Sequence, residues 1–303
     1  MSTSFWRKNL PTIVLLAFVI ILSVWSYIFG YYVPKGAPEI NIGSGLLLTA
    51  VGFAAGLLGG LIGTGGCSIM LPILHFWMGY PAPLAVGTTL FAVIFTTLSG
   101  AYGHLVRKNL DKNVTLWVGG FGTLGVILGS WLFTFLVNQV TLLDLILGLA
   151  FLLPAIRMIL EGLERSQGKK VQQEGKVIYG SKPMMGFFGF AIGILTGVVG
   201  LGGGYALVPG LIYLFDAPVY VTMGTSLASM IPLAVVGGGI KIVQGFVALG
   251  AGLLLGAGTV VGAQFGAAII KRFKPNTLKL IFGAYFLYVA IKFITSYFGI
   301  MIW

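Results

Sequence analysis

Apolar stretches long enough to cross a lipid bilayer recur along this chain, and one of them is "TIVLLAFVIILSVWSYIF", residues 12–29. A helix of about 20 such residues spans the roughly 30 Å of hydrocarbon in a bilayer. Only 8% of the residues are charged and 57% are hydrophobic, whereas a soluble domain carries about 25% charged residues. Because lipid offers no hydrogen bonds to an open backbone, apolar runs of this length form helices. The sequence therefore predicts an all-α polytopic membrane protein.

The N-terminal segment is predicted to be an uncleaved membrane helix. Arg7 and Lys8 precede its apolar run, and bulky aromatic residues follow the run. A cleavable signal peptide has a shorter apolar core and small residues at its exit. We therefore expect residues 1–42 to form one extra transmembrane helix and an outer loop. The excess of 18 Lys and Arg over 7 Asp and Glu is explained by loop charge that sets orientation, and we expect no nucleic-acid partner.

The chain is an internal duplication. The segment "GFAAGLLGGLIGTGGCSIMLP", residues 52–72, resembles "GFAIGILTGVVGLGGGYALVP", residues 189–209, at a constant offset of 137 residues. The same offset extends the match without a gap to these pairs: Pro81 and Pro218, Gly87 and Gly224, Thr88 and Thr225, Gly100 and Gly237, and Gly129 and Gly266. Two homologous halves, residues 43–160 and 183–303, are therefore predicted on either side of a polar cytoplasmic linker, residues 161–182.

The glycine-rich segments are predicted to be broken helical hairpins. As one helix, residues 43–78 would be about 54 Å long, too long for the bilayer even at the largest usual tilt. If glycines 63, 65 and 66 and their counterparts turn the chain back, 15 of the 18 Lys and Arg fall on the cytoplasmic side with the N-terminus. Because positive charge concentrates on that side, we expect two inverted-topology repeats, each a broken hairpin plus three transmembrane helices. Such repeats are typical of transporters.

Paired "GTGGCSIMLP" and "GLGGGYALVP" segments, each followed by a Gly-Thr dipeptide, resemble the sulfite exporter TauE/SafE family. The resemblance extends over roughly residues 43–298 and leaves out the first helix. It implies an anion permease of the cytoplasmic (inner) membrane of a prokaryote that moves sulfite or small organosulfonates outward. This chain departs from the pattern at Cys67, which stands where the second half has Gly204.

The glycines serve two predicted purposes. Stripes at every fourth residue, such as Gly52, Gly56 and Gly60, allow close helix packing. Broken backbone at membrane depth is tolerated where it is buried in protein or lines a cavity, and a helix that restarts there directs unpaired N–H groups at the break. We therefore predict an anion site without fixed charge, completed by hydroxyl groups. Its predicted residues are Gly65, Gly66, Cys67, Thr88, Thr89, Gly202, Gly203, Gly204, Thr225 and Ser226.

Other interpretations of these residues remain open. Each hydroxyl can instead bond its own helix four residues back, and Cys67 can be a small filler or a thiol that touches a sulfur oxyanion. His104 and its counterpart Lys241 are explained by snorkelling to the membrane surface. Asp144 is interpreted as part of a capping box with Thr141.

Three functional classes compete. An intramembrane enzyme needs a catalytic cluster, a channel differs from a carrier by unsaturable flux, and a cation carrier needs buried carboxylates, none of which we expect inside a span. A transporter of small sulfur anions fits best, with an anion channel or intramembrane enzyme as the alternative. We expect the lipid bilayer and possible copies of the same chain as partners. The single cysteine, Cys67, excludes an intrachain disulfide and a cysteine-cluster metal site, and we expect no cofactor.

Overall fold

A computed structural model describes residues 3–28, 34–163, 177–269 and 275–299. Those residues form helices without any strand, in agreement with the all-α prediction. Seven of the described helices are long and apolar enough to cross a membrane. The helices are α1 (Thr3–Ile28), α2 (Ile42–Ile62), α3 (Cys67–Pro72) with a π-helical turn (Ile73–Trp77), α4 (Ala82–Val106), α5 (Lys112–Leu136), α6 (Val140–Leu163), α7 (Lys182–Val199), α8 (Gly204–Leu214), α9 (Val219–Val243), α10 (Leu249–Ile269) and α11 (Pro275–Tyr297).

Both glycine segments break their helices where the sequence predicts. Helix α2 ends at Gly63, whose φ of 85° lies in the left-handed region, and α3 begins after Gly66 with a φ of 74°. Gly66 lies against the backbone of Ala55, so the chain has doubled back along α2. The second half repeats this geometry, with left-handed Gly200 ending α7 and left-handed Gly203 preceding α8. Glycine adopts this conformation without the steric cost that a side chain brings.

The glycine stripes are packing surfaces, as predicted. A Cβ atom at Gly56 would lie 2.6 Å from the Thr259 Cα of α10. The counterpart Gly193 meets α5, where the same atom would lie 2.9 Å from the Val126 nitrogen. Helix pairs α2–α10 and α5–α7 therefore run in near backbone contact, which only glycine permits.

Contacts between the two halves occur in pairs that are related by the 137-residue shift. Helix α2 packs on α10 as α7 packs on α5, and α4 packs on α10 as α9 packs on α5. The equivalent helices α4 and α9 contact each other with their directions opposed, because Gly100 near the end of α4 meets Leu227 near the start of α9, and Gly237 meets Leu90. The same holds for α6 and α11, where Gly162 meets Leu280 and Gly148 meets Ile294.

The first helix stands outside this duplication. Helix α1 packs on α10 and touches α4, and the Gln264 amide donates a 2.8 Å hydrogen bond to Thr12 Oγ1. The aromatic residues 29–33 that follow α1 and residues 164–176 of the predicted linker lie outside the described part of the chain.

Candidate functional site

The two helix breaks meet each other in the interior of the bundle. The Cys67 thiol of the first break donates to the Leu201 carbonyl oxygen of the second. In the equivalent contact, a Cβ atom at Gly204 would lie 2.6 Å from the Thr64 Cα. Thr64 and Leu201, like Cys67 and Gly204, correspond under the 137-residue shift, so each break packs on the other in the same way.

One methionine closes over both breaks. A Cβ atom added at Gly65 would lie 2.6 Å from the methyl carbon of Met230, and one added at Gly202 would lie 2.7 Å from the same carbon. Val93, the counterpart of Met230 in α4, contacts the same two glycines at 3.4 and 3.1 Å. The breaks are therefore packed shut in this conformation, and a ligand can enter only if these two side chains move.

The restarted helices direct backbone N–H groups toward this centre. Gly66 and Gly203 precede α3 and α8 without any side-chain cap. The Gly203 carbonyl accepts from the Ala206 and Leu207 amides, at 3.0 and 2.8 Å. Cys67 and Gly204, the first residues of α3 and α8, form the contact between the breaks. The first N–H groups of a helix have no acceptor within it, and in α3 and α8 these groups lie beside that contact.

Two of the predicted hydroxyl groups hold loops in place. Thr88 Oγ1 accepts a 3.0 Å hydrogen bond from the Ala248 amide, just before α10. Its counterpart Thr225 accepts a 2.9 Å bond from the Asp111 amide, just before α5. Neither hydroxyl bonds its own helix four residues back, so the simpler alternative is wrong for both.

The other two hydroxyl groups, equivalent under the 137-residue shift, have different partners. Ser226 Oγ donates a 2.9 Å hydrogen bond to the Gly63 carbonyl, the residue that ends α2. Thr89, its counterpart, donates to Ala85 and Val86 of its own helix, at 2.8 and 3.0 Å. Ser226 thus belongs to the first break, whereas Thr89 follows the simpler alternative.

Cys67 is completely buried between the two breaks. Its sulfur also lies 3.5 Å from the Thr64 carbonyl oxygen. This position fits the filler interpretation, since the thiol is packed against the Thr64 and Leu201 carbonyls, whereas the backbone at the equivalent Gly204 packs directly on Thr64.

His104 and Lys241 do not snorkel to the surface, and that interpretation is wrong. Both side chains are completely buried. They stand in the last turns of α4 and α9, and side chains lean toward the N-terminus of their helix, which at these positions is away from the nearer membrane face. His104 Nε2 donates a 2.9 Å hydrogen bond to the Gly60 carbonyl, while Lys241 Nζ lies 3.0 Å from the centre of the Phe133 ring.

Asp144 is buried inside a span, contrary to expectation, and it does not form a capping box. Helix α6 already begins at Val140, and the Asp144 carboxylate accepts a 2.9 Å hydrogen bond from Ser296 of α11. Its other oxygen lies 3.9 Å from His75 Nε2. His75 stands in the π-helical turn and bonds the Tyr80 carbonyl through Nδ1 at 2.9 Å, so these groups join the first hairpin to α6 and α11.

The sequence did not single out Met230 and Val93. Both carry apolar side chains, which are typical of any core position. A signal was nevertheless present: each lies four residues after a predicted hydroxyl, Ser226 or Thr89, and therefore on the same helix face.

A helical bundle with seven membrane-length helices and two broken helices meeting in its interior has the architecture of a polytopic membrane transporter. The chain belongs to the sulfite exporter TauE/SafE family, whose model matches residues 48–293. It is similar to the probable membrane transporter protein YdhB of Bacillus subtilis, at 31% identity over 234 residues that cover 77% of this chain and 94% of the relative.

More distant relatives carry similar names. The probable membrane transporter protein YunE of Bacillus subtilis is 27% identical, with 78% of this chain and 92% of the relative covered. The probable membrane transporter protein MJ0441 of Methanocaldococcus jannaschii is 26% identical, with 77% and 89% covered. No solved structure matches the chain.

Proposed function

We propose that this protein exports small sulfur oxyanions such as sulfite across the inner membrane and binds them where the two glycine breaks meet. The observation that carries the proposal is the mutual contact of the breaks through Cys67 and Leu201. Helix N-termini favour anions through their free N–H groups and dipoles. Two such ends beside one buried contact provide a site for an anion without a fixed positive charge.

The orientation of the two halves is part of this proposal. The N-terminus and most Lys and Arg lie in the cytoplasm, the first hairpin enters from outside, and the second enters from inside. Opposed directions of the equivalent helices α4 and α9 support repeats of inverted topology. This arrangement divides the chain into an N-terminal transmembrane helix with an outer loop, a first repeat, a cytoplasmic linker and a second repeat, which are residues 1–42, 43–160, 161–182 and 183–303.

The transport cycle requires the two breaks to separate. Met230 and Val93 both contact Gly65 and Gly202, so movement of α4 against α9 exposes the amide ends. The proposed ligand contacts are Gly65, Gly66, Cys67, Gly202, Gly203, Gly204 and Ser226. Thr88, Thr89 and Thr225, which the sequence also predicted, are proposed to support the site through their backbone hydrogen bonds and not to touch the anion.

The test is transport of radiolabelled sulfite into proteoliposomes by the parent and by Gly203→Ala. Alanine at this left-handed position costs about 1–2 kcal/mol, and its methyl group would lie 2.6 Å from an Ile192 methyl carbon and 2.7 Å from Thr196 Oγ1. We expect the initial rate to fall at least about tenfold. Gly79→Ala is the matched control, because Gly79 has a φ of 74° and nothing within 4 Å of an added Cβ.

A carrier and a channel are separated in the same assay. Initial rates that saturate with sulfite concentration support the carrier, and rates that rise without limit support the channel alternative. If Gly203→Ala transports sulfite as fast as Gly79→Ala, the broken-helix site is wrong.

A further inference from the structure

Lys241 is a buried lysine without an anionic partner among the described residues. Its side chain has no exposed surface, and its amino group has no hydrogen-bond partner in the described structure. The amino group lies over the ring of Phe133 on α5, 3.0 Å from Nζ to the ring centre. A buried amino group that has no partner is costly in an apolar interior, and a bound anion would supply the missing partner.

Two more polar atoms without a hydrogen-bond partner in the described structure lie at this contact between α5 and α9, the Ser130 hydroxyl and the Gln244 side-chain oxygen. Ser130 lies one turn before Phe133 on α5, and its hydroxyl is completely buried and has no partner in the described structure. A serine inside a membrane helix ordinarily bonds the carbonyl four residues back, so this hydroxyl is free to donate elsewhere. Gln244, one turn after Lys241, donates a 3.1 Å hydrogen bond to the Ser130 carbonyl and holds the end of α9 on α5.

This cluster adjoins the second glycine break. The Ser130 backbone is packed on Gly197 of α7, where an added Cβ would lie 2.5 Å from the Ser130 nitrogen. Gly197 is three residues before Gly200, the residue that ends α7 at the break. Ser130 is therefore packed on α7 within about one helical turn of the second break, and Phe133, the ring that Lys241 contacts, lies one turn farther along α5.

We propose that Lys241 and Ser130 form a second oxyanion site beside the second glycine break. Lys241 supplies the positive charge that the breaks lack, and Ser130 supplies a hydroxyl donor. The ligand is a small oxyanion, which neutralises the lysine while it is bound. The inference rests on the proposed function for its place on the transport path, in the outer half of the membrane.

The first half lacks this site. His104 occupies the position equivalent to Lys241, and its Nε2 is already bonded to the Gly60 carbonyl. The serine is also missing, because Ala267 stands at the position equivalent to Ser130. The second oxyanion site is therefore present on one side of the duplication only.

The experiment measures sulfite binding to purified protein by calorimetry, and melting temperature with and without sulfite, in a chloride-free gluconate buffer. Lys241→Met is expected to weaken sulfite binding at least about tenfold, the loss typical of a charged hydrogen bond. Without sulfite its melting temperature should equal or exceed that of the parent, because an unpaired buried charge is gone. Lys241→Arg should bind within about threefold of the parent, since it keeps the charge.

Lys292→Met is the matched control. Lys292 lies over the rings of Phe76 and Trp77, at 4.8 and 5.2 Å, so this variant removes an aromatic-packed lysine away from the α5–α9 contact. It should bind sulfite within about twofold of the parent. If Lys241→Met binds as tightly as Lys292→Met, the second site is wrong.

Ser130→Ala keeps the inference testable if Lys241→Met does not fold. It removes one hydroxyl that bonds nothing in the described structure and is expected to weaken sulfite binding about three- to tenfold. Unchanged binding by Ser130→Ala, with Lys241→Met unfolded, would also overturn the second site. Failure of the proposed function looks different: the parent itself would neither transport nor bind sulfite.

Discussion

Where two helices pack backbone against backbone at a glycine, the neighbouring helix leaves no room for an added methyl group. At Gly56 an added Cβ would lie 2.6 Å from the Thr259 Cα and carbonyl oxygen, which belong to backbone and cannot move aside. At Gly120 on α5 the same atom would meet nothing within 4 Å. These two glycines therefore differ in packing while both lie inside regular helices.

We expect Gly56→Ala to destabilise the protein by about 1–3 kcal/mol through overpacking. Gly120→Ala should be neutral or more stable by up to about 1 kcal/mol, because alanine favours helix. Melting temperatures of both variants in one detergent test this difference. Equal melting temperatures would contradict the close α2–α10 packing.

The special glycines could be predicted because their spacing and repetition are visible in the sequence. The sequence failed for Lys241 and His104 because it does not show that neighbouring helices cover these positions near the helix ends. It also missed the partner of Asp144, since Ser296 lies 152 residues away in sequence. Contacts between distant residues depend on how helices cross, and one sequence does not encode that in a local pattern.

At the scale of helices, two equivalent hydroxyl groups fasten the loops that precede α5 and α10. Thr88 and Thr225 each accept a hydrogen bond from a backbone amide of the other half, Ala248 and Asp111 respectively. A buried amide that loses its acceptor costs about 1–3 kcal/mol. These threonines were predicted to contact the anion, and their hydrogen bonds give them a role in stability.

Thr88→Val keeps the shape of the side chain and removes the acceptor. We expect it to lower stability by about 1–3 kcal/mol, with sulfite affinity in the folded protein close to that of the parent. Thr123→Val is the control, because Thr123 donates only to the Gly119 carbonyl of its own helix, at 2.8 Å, and should change stability little. Thermal melts and calorimetry distinguish the roles: lost affinity at unchanged stability would favour direct contact with the anion.

At the scale of the whole molecule, the number of times the chain crosses the membrane follows from the broken hairpins. Lys112 is the first residue of α5 and Lys182 is the first residue of α7, while Gln139 lies between α5 and α6. All three side chains are exposed. The proposed orientation puts the two lysines in the cytoplasm and the glutamine outside.

Single cysteines at these positions, in a Cys67→Ala background, test the orientation in intact cells. An impermeant thiol reagent should label a cysteine at 139 and leave those at 112 and 182 unlabelled until the membrane is permeabilised. Labelling at 182 from outside, with 139 protected, would overturn the inverted arrangement.

The near-equivalence of the two halves has an energetic consequence. Suppose that the two halves were identical and of opposite orientation. If each half then took the conformation of the other, an inward-open molecule would become an outward-open molecule of the same free energy. The two states would be equally populated. Cys67 against Gly204, and His104 against Lys241, make the exchanged states unequal. A difference of about 1.4 kcal/mol already shifts the ratio of the two populations tenfold. In the proposed inverted arrangement, the positions at which the two halves differ therefore set which side of the membrane the empty protein faces at rest.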